Sequence, residues 1–207
     1  IILCLSLILI LYLFESYLTF ISKNQSKLAI EEAIKSGIKV FGENRIQETI
    51  EKFTNLRETY TDLELHLTGS LQTNKVKQAL SIFDVIQTLD REKLAKELAK
   101  YPDIIKKKLF FIQVNTGKEE QKSGIHPEEV DKFIKYCKFD LHIPVIGLMC
   151  IPPHQVDSNY HFDLLNKIAK KNNLKNLSMG MSNDFKFGIL NGATHIRIGT
   201  KLFGLRK

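Results

Sequence analysis

The chain has 207 residues, 43% of them hydrophobic, enough to bury one full-sized core and too few for more than two small domains. Thirty basic against 23 acidic residues give a net charge of +7, but only Arg45, Arg57, Arg91, Arg197 and Arg206 are arginines, and the lysine clusters at 106–108 and 170–171 lack interleaved aromatics, which argues for a solvated lysine surface and against a nucleic-acid platform. Three cysteines without a CxxC pair and six histidines without HxH or HxxxH spacing indicate neither a disulfide framework nor a metal site, and a reducing, cytoplasmic compartment fits.

The first element is an uncharged run, IILCLSLILILYLF, ending before Glu15. It is shorter than the ~20 apolar residues of a spanning helix and has no basic flank of the signal-peptide kind. Residues 1–15 are therefore set apart from a domain over 16–207, and membrane contact is expected only if that run is an anchor.

Short apolar runs then alternate with helix-like stretches. The predicted strands are LTFIS (18–22), KVFGE (39–43), LELHLTG (63–69), DVIQTL (84–89), LFFIQVN (109–115), PVIGLMC (144–150), NLSMG (176–180) and HIRIG (195–199). Between the first two, SKLAIEEAIKSG has helical spacing, with Leu28, Ala29, Ala33 and Ile34 read onto one side and Gly37 as the stop. DREKLAKELAK reads as another helix, with Asp90 as N-cap and Leu94 and Leu98 on the buried stripe. Eight strands alternating with helices imply right-handed parallel crossovers and a single α/β domain, a closed (β/α)8 TIM-type barrel, with a doubly wound open sheet as the alternative. CIPPHQ is a rigid turn after the sixth strand, and no linker divides the chain.

In such a barrel the chemistry sits at the carboxyl ends of the strands. That rule selects Lys23 after strand one, Glu43, Asn44 and Arg45 after strand two, Thr68, Gly69 and Ser70 after strand three, Asn115 and Thr116 after strand five, Met149 at the end of strand six, Met181, Ser182 and Asn183 after strand seven, and Gly199 and Thr200 after strand eight. Ser182 and Asn183 are read as opening a helix at NDFKFGIL, so the loops after strands seven and eight offer free backbone N–H groups to a phosphate. Each feature alone is equally an ordinary cap or turn. Arg197 adds weight: flanked by isoleucines on the last strand, it either faces the interior and needs a partner or lies outward with its stem on a helix. A phosphate pocket, an adjacent arginine and a lysine on strand one are the parts of a pyridoxal phosphate site. An aldehyde condenses only with a neutral amine, so the lysine of such a site must lie where burial or a nearby cation favours that form.

FISKNQS, VFGENRIQE, LHLTGSLQTNKVK, QTLDREKLAKEL, IQVNTGKEEQKSGI, IGLMCIPP and LSMGMSNDF…IRIGTKLFG resemble, in order and spacing, the pyridoxal phosphate homeostasis proteins, a family related to the N-terminal barrel of alanine racemase. The resemblance runs from about residue 18 to 205. It implies pyridoxal 5'-phosphate held as an aldimine on Lys23, phosphate bound by Ser182, Gly199 and Thr200, Arg197 at the pyridine nitrogen, Asn44 lining the pocket and Met149 near the ring. It further implies a cytoplasmic protein of cofactor homeostasis with no catalytic residue beyond the Schiff-base lysine, and pyridoxal phosphate-dependent apo-enzymes as recipients. Two features depart from the family: the apolar run stands where a soluble helical segment is usual, and Asn24 and Gln25 replace the residues usual after the lysine. The alternative is a racemase-like enzyme. Alanine racemases add a β-rich domain carrying a tyrosine base; no such domain is expected after residue 207, and no tyrosine of this sequence clearly replaces the base, which favours a carrier over a proton shuttle.

Overall fold

In the computed structural model, which describes residues 17–154 and 156–199, eight parallel strands close into a barrel in sequence order. They are β1 (Tyr17–Ile21), β2 (Val40–Glu43), β3 (Glu64–Leu67), β4 (Val85–Leu89), β5 (Leu109–Val114), β6 (Val145–Cys150), β7 (Asn176–Ser178) and β8 (His195–Ile198). Each predicted strand is present, trimmed or shifted by a residue or two at one end or both. β1 pairs with β8 from Tyr17↔His195 to Phe20↔Ile198, and this seam closes the barrel and rules out the open sheet.

The helices on the outside are α1 (Lys27–Lys35), α2 (Ile46–Thr59), α3 (Val76–Ile82), α4 (Glu92–Leu98), α5 (Pro102–Ile105), α6 (Val130–Lys135), α7 (Ser158–Lys171) and α8 (Phe185–Leu190). α1 starts where the Ser26 hydroxyl accepts the Ala29 N–H and stops at Gly37, whose φ of +95° suits a residue without a side chain. Its buried stripe is Ile30, Ala33 and Ile34, and Leu28 is 66% exposed. The predicted side holds for Ala33 and Ile34 but not for Leu28, which lies two residues, about 200° of helix, from Ile30, so that both cannot face the barrel. α4 also differs at its start. Arg91 occupies the N-cap position, while Asp90 is buried and paired to the Arg91 guanidinium, so its carboxylate is used in an ion pair and not as a cap. Leu94 and Leu98 are buried as expected.

Alternation along the strands divides the interior in two. Phe20, Phe41, Leu65, Leu67, Ile86, Phe110, Ile112, Leu148 and Ile196 belong to the continuous apolar layer under the helices. A smaller cluster of Val85, Phe111 and Met149 lies within the barrel, alongside buried Thr19, His66, Gln87, Ser178, His195 and Arg197. At the amino-terminal end the His195 ring meets those of Tyr17 (5.3 Å), Phe111 (5.0 Å) and His66 (6.2 Å). Among the described residues, no helix is long and apolar enough to cross a membrane. The apolar segment 1–15 and Thr200 lie outside the described residues.

Candidate cofactor site at the carboxyl end of the barrel

Lys23 lies two residues past Ile21, whose side chain shares the barrel interior with Thr19, since a Cβ on Gly42 would meet Ile21 Cδ1 at 2.5 Å and Thr19 Cγ2 at 3.0 Å. It is half-buried at the rim, and its ammonium has no ion pair or hydrogen bond among the described residues. The backbone on either side is pinned. Ser22 donates its hydroxyl to Glu43 Oε1 (2.7 Å), and its carbonyl accepts from Lys52 Nζ (2.9 Å). The Asn24 N–H donates to Glu48 Oε1 at 2.8 Å, with Asn24 at φ +61°, a left-handed turn that asparagine tolerates. Lys52 in turn bridges Glu43 (3.1 Å) and Glu48 (2.6 Å). Burial pushes the Glu43 carboxyl up, against the pull of Lys52 and Ser22. Burial also raises Glu48, but its bonds from Lys52 and Asn24 outweigh that and hold it below the usual carboxylate range.

The last strand reaches the same corner. A Cβ on Gly199 would stand 3.2 Å from the Ile21 carbonyl and 3.3 Å from Ile21 Cβ, so β8 ends hard against the strand that carries Lys23. Arg197 faces the interior, as one of its two sequence readings required, and its guanidinium donates to Ser178 Oγ (2.7 Å) and to the Cys150 carbonyl (2.8 Å). Both partners are neutral. Burial lowers the Arg197 pKa, with Cys150 and Asp184 opposing. Met149 is buried inside the barrel, opposite Ser178 in the β6–β7 register.

Ser182 is half-buried in the turn between Gly180 (φ +92°) and α8. The helix predicted to open at Ser182 and Asn183 begins instead at Phe185, because Asp184 turns its carboxylate back onto the Met181 N–H (2.6 Å) and closes a turn first. Asn44 accepts from the Thr68 hydroxyl (2.8 Å) at the β2–β3 edge, and its backbone is so close that a Cβ on Gly69 would lie 2.2 Å from its carbonyl. Its outer side opens onto a cleft of about 320 Å³ lined by Arg45, Gln47, Ser70, Gln72 and Lys75. Arg197 and Gly199 thus lie beside Thr19 and Ile21 of β1, the strand that Lys23 follows; Ser182 is on the β7 loop, Met149 lies inside the barrel, and Asn44 lies on the β2–β3 side.

Sequence reasoning placed Glu43 at the rim but missed its partner and the residues beneath. Glu43 and Lys52 fix the Lys23 turn, and His66, Gln87 and Ser178 fill the barrel beneath Arg197. A polar residue recurring at inward register positions of apolar strands, His66 in LELHLTG, Gln87 in DVIQTL and Ser178 in NLSMG, was the available signal.

The closed eight-stranded parallel barrel is of the alanine racemase N-terminal class: the family described as "Alanine racemase, N-terminal domain" matches residues 24–207. The chain is 41% identical over 198 residues to the pyridoxal phosphate homeostasis protein of Aquifex aeolicus, covering 90% of this chain and 85% of that one, and 34% identical over 202 residues to its Escherichia coli K12 namesake, covering 93% and 86%. It belongs to the pyridoxal phosphate homeostasis protein family. Its fold superposes on PipY of Synechococcus elongatus without PLP at a TM-score of 0.85 and 33% identity, and on the same protein with PLP bound at 0.80 and 31%, each over 92% of this chain and 93% of the other. Alanine racemase from Corynebacterium glutamicum shares the fold at a TM-score of 0.73 with 15% identity, over 92% of this chain and 56% of that enzyme.

Proposed function

We propose that this protein binds pyridoxal 5'-phosphate at the carboxyl end of its barrel, with Lys23 as the covalent anchor, and serves intracellular homeostasis of that cofactor without turnover. Ser182, Gly199 and Thr200 take the phosphate, Arg197 faces the pyridine nitrogen, and Asn44 and Met149 border the ring. When bound, the cofactor supplies an aldehyde that reacts with primary amines and an electron-withdrawing ring.

The observation that carries the reading is Arg197: among the described residues this buried guanidinium donates to a hydroxyl and a carbonyl, beside the strand that Lys23 follows, and the Lys23 ammonium has no partner among them. A cation desolvated among neutral partners suits an electron-rich acceptor such as an unprotonated ring nitrogen. The pinned backbone at Ser22 and Asn24 supports the anchor, because a fixed turn presents the amine in one place. The PipY structure with PLP bound and the names of the relatives support the cofactor.

Two things support carriage over catalysis. Arginine at the ring nitrogen disfavours ring protonation and weakens the cofactor as an electron sink. Of the described tyrosines, Tyr17, Tyr60, Tyr101 and Tyr136 lie at a strand start or helix ends away from the carboxyl rim, and Tyr160 is 64% exposed with its ring against His161. None stands beside Lys23 as a second proton-transfer group. The buried free thiols, Cys137 and Cys150, suit a reducing cytoplasm, and the recipients are apo-enzymes that use the cofactor.

The test is an absorption spectrum after incubation with pyridoxal phosphate and desalting. Wild type should retain a band near the visible edge that Lys23→Ala lacks, with no racemisation of alanine by the loaded protein. No retained band in wild type would sink the cofactor reading, and measurable turnover would sink the carrier reading.

A further inference from the structure

Arg197 does not end at Ser178. The Ser178 hydroxyl donates to Gln87 Oε1 (2.6 Å), the Gln87 amide donates to His66 Nδ1 (2.7 Å), and His66 Nε2 meets Glu64 Oε1 (2.5 Å). Ser178 and Gln87 are 0% exposed and His66 1%, whereas the Glu64 side chain is 47% exposed at the start of β3. The chain of bonds therefore crosses the barrel from the carboxyl end to the amino-terminal mouth.

Its direction is set from both ends. A guanidinium only donates, so Ser178 accepts from Arg197 and sends its single proton to the Gln87 carbonyl. A carboxylate only accepts, so His66 carries its proton on Nε2 and offers a bare Nδ1 to Gln87. All four bonds point from cation to carboxylate, the arrangement in which neighbouring hydrogen bonds polarise one another. No carboxylate pairs directly with the Arg197 guanidinium among the described residues; Asp184 acts on it through space, and Glu64 closes the chain of hydrogen bonds that starts at Arg197.

We propose that Gln87 and His66 are positioning residues that hold Arg197, through Ser178, in the orientation in which it meets the cofactor ring. The inference rests on the cofactor reading for its consequence but not for its existence, since the chain is built wholly of this protein's own side chains. Removing Gln87 leaves the Ser178 proton without its acceptor and Arg197 held chiefly by the Cys150 carbonyl, so that its guanidinium can turn, although neither Gln87 nor His66 is placed against the cofactor.

The experiment compares wild type, Gln87→Leu, which keeps the volume and breaks both amide bonds, and Glu64→Gln at the half-exposed end, which leaves the core untouched. Without cofactor, imidazole ¹⁵N shifts should report His66 as the Nε2–H tautomer and side-chain NMR should show one ordered Arg197 guanidinium. Gln87→Leu should mix the His66 tautomers and broaden the Arg197 signal at unchanged far-UV circular dichroism. With pyridoxal phosphate, Gln87→Leu should still load on Lys23, but with affinity lower by about ten-fold and a shifted absorption maximum, as expected for loss of one charge-assisted hydrogen bond. Glu64→Gln should move the same signals in the same direction by less, and it carries the test should Gln87→Leu not fold. An ordered Arg197 and an unmoved His66 in both variants would overturn the proposal, as would unchanged affinity and band position in a loaded Gln87→Leu. Failure of wild type to bind the cofactor would sink the cofactor reading alone, because the cofactor-free signals decide the chain of bonds by themselves.

Discussion

At the scale of single residues, the charges that matter are those out of water. Lys52 is the partner of a Glu43 carboxylate that is fully buried, so Lys52→Met should cost about 3–5 kcal/mol in urea unfolding, since it strands that carboxylate. Pairing it with Glu43→Gln should recover most of the loss, and failure to recover would show that Lys52 acts through packing and not charge. His195 gives the pH dependence. Burial first, then His66 and Arg197, lower its pKa to about 4, against Glu64. In the unfolded chain a histidine ionises near 6.5. Between these values the unfolded state binds the extra proton, so stability is full above 6.5 and falls as pH drops towards 4, by roughly 3 kcal/mol for this group. The difference between wild type and His195→Gln in urea unfolding at several pH values should show that slope; parallel curves would contradict it.

At the scale of elements, two glycines separate local backbone need from contact between strands. Gly37 stops α1 at φ +95° with open space around it, so Gly37→Ala should cost about 1 kcal/mol and leave cofactor binding alone. Gly69→Ala sets a Cβ 2.2 Å from the Asn44 carbonyl, so β2 and β3 must part at their carboxyl ends, costing about 1–3 kcal/mol and weakening binding together. Thermal melts alongside cofactor titrations distinguish the two patterns. Elements were legible in the sequence where one signal dominates. Gly37 closed α1 as read, and all eight strands appeared because short apolar runs bounded by turn residues have few other uses. Leu28 and Asp90 were misplaced because helical phase in a short amphipathic segment is decided by the surface it packs on, and because an acidic residue before a helix can cap it or pair elsewhere.

At the scale of the whole molecule, alternation of strands and helices implied a barrel, but closure and the interior did not follow from any one segment. His66, Gln87 and Ser178 lie on three strands spread over more than a hundred residues of chain, and only closure makes them neighbours. The rim was more readable, since Lys23 and Gly199 follow strands whose ends can be seen in the sequence, whereas the approach of Gly199 to Ile21 at the β1–β8 seam is a product of the ring. That seam joins the first described strand to the last, the longest-range pairing in the fold and the one with the greatest loop-closure cost. On the proposed reading, a ligand anchored on Lys23 and held by the loops after β7 and β8 would span it, and so should stabilise the barrel as a cross-link across the chain. At a free concentration of 100 times its Kd, pyridoxal phosphate should add about 2.7 kcal/mol, a rise in Tm of roughly 5–11 °C for a chain of this size. Hydrogen exchange should slow in β1 and β8 together, at Phe20 and Ile198 above all. In Lys23→Ala the thermal shift should shrink and the joint protection disappear; slowing confined to β7 and β8 in wild type would mean that the cofactor sits on one side of the seam and does not bridge it.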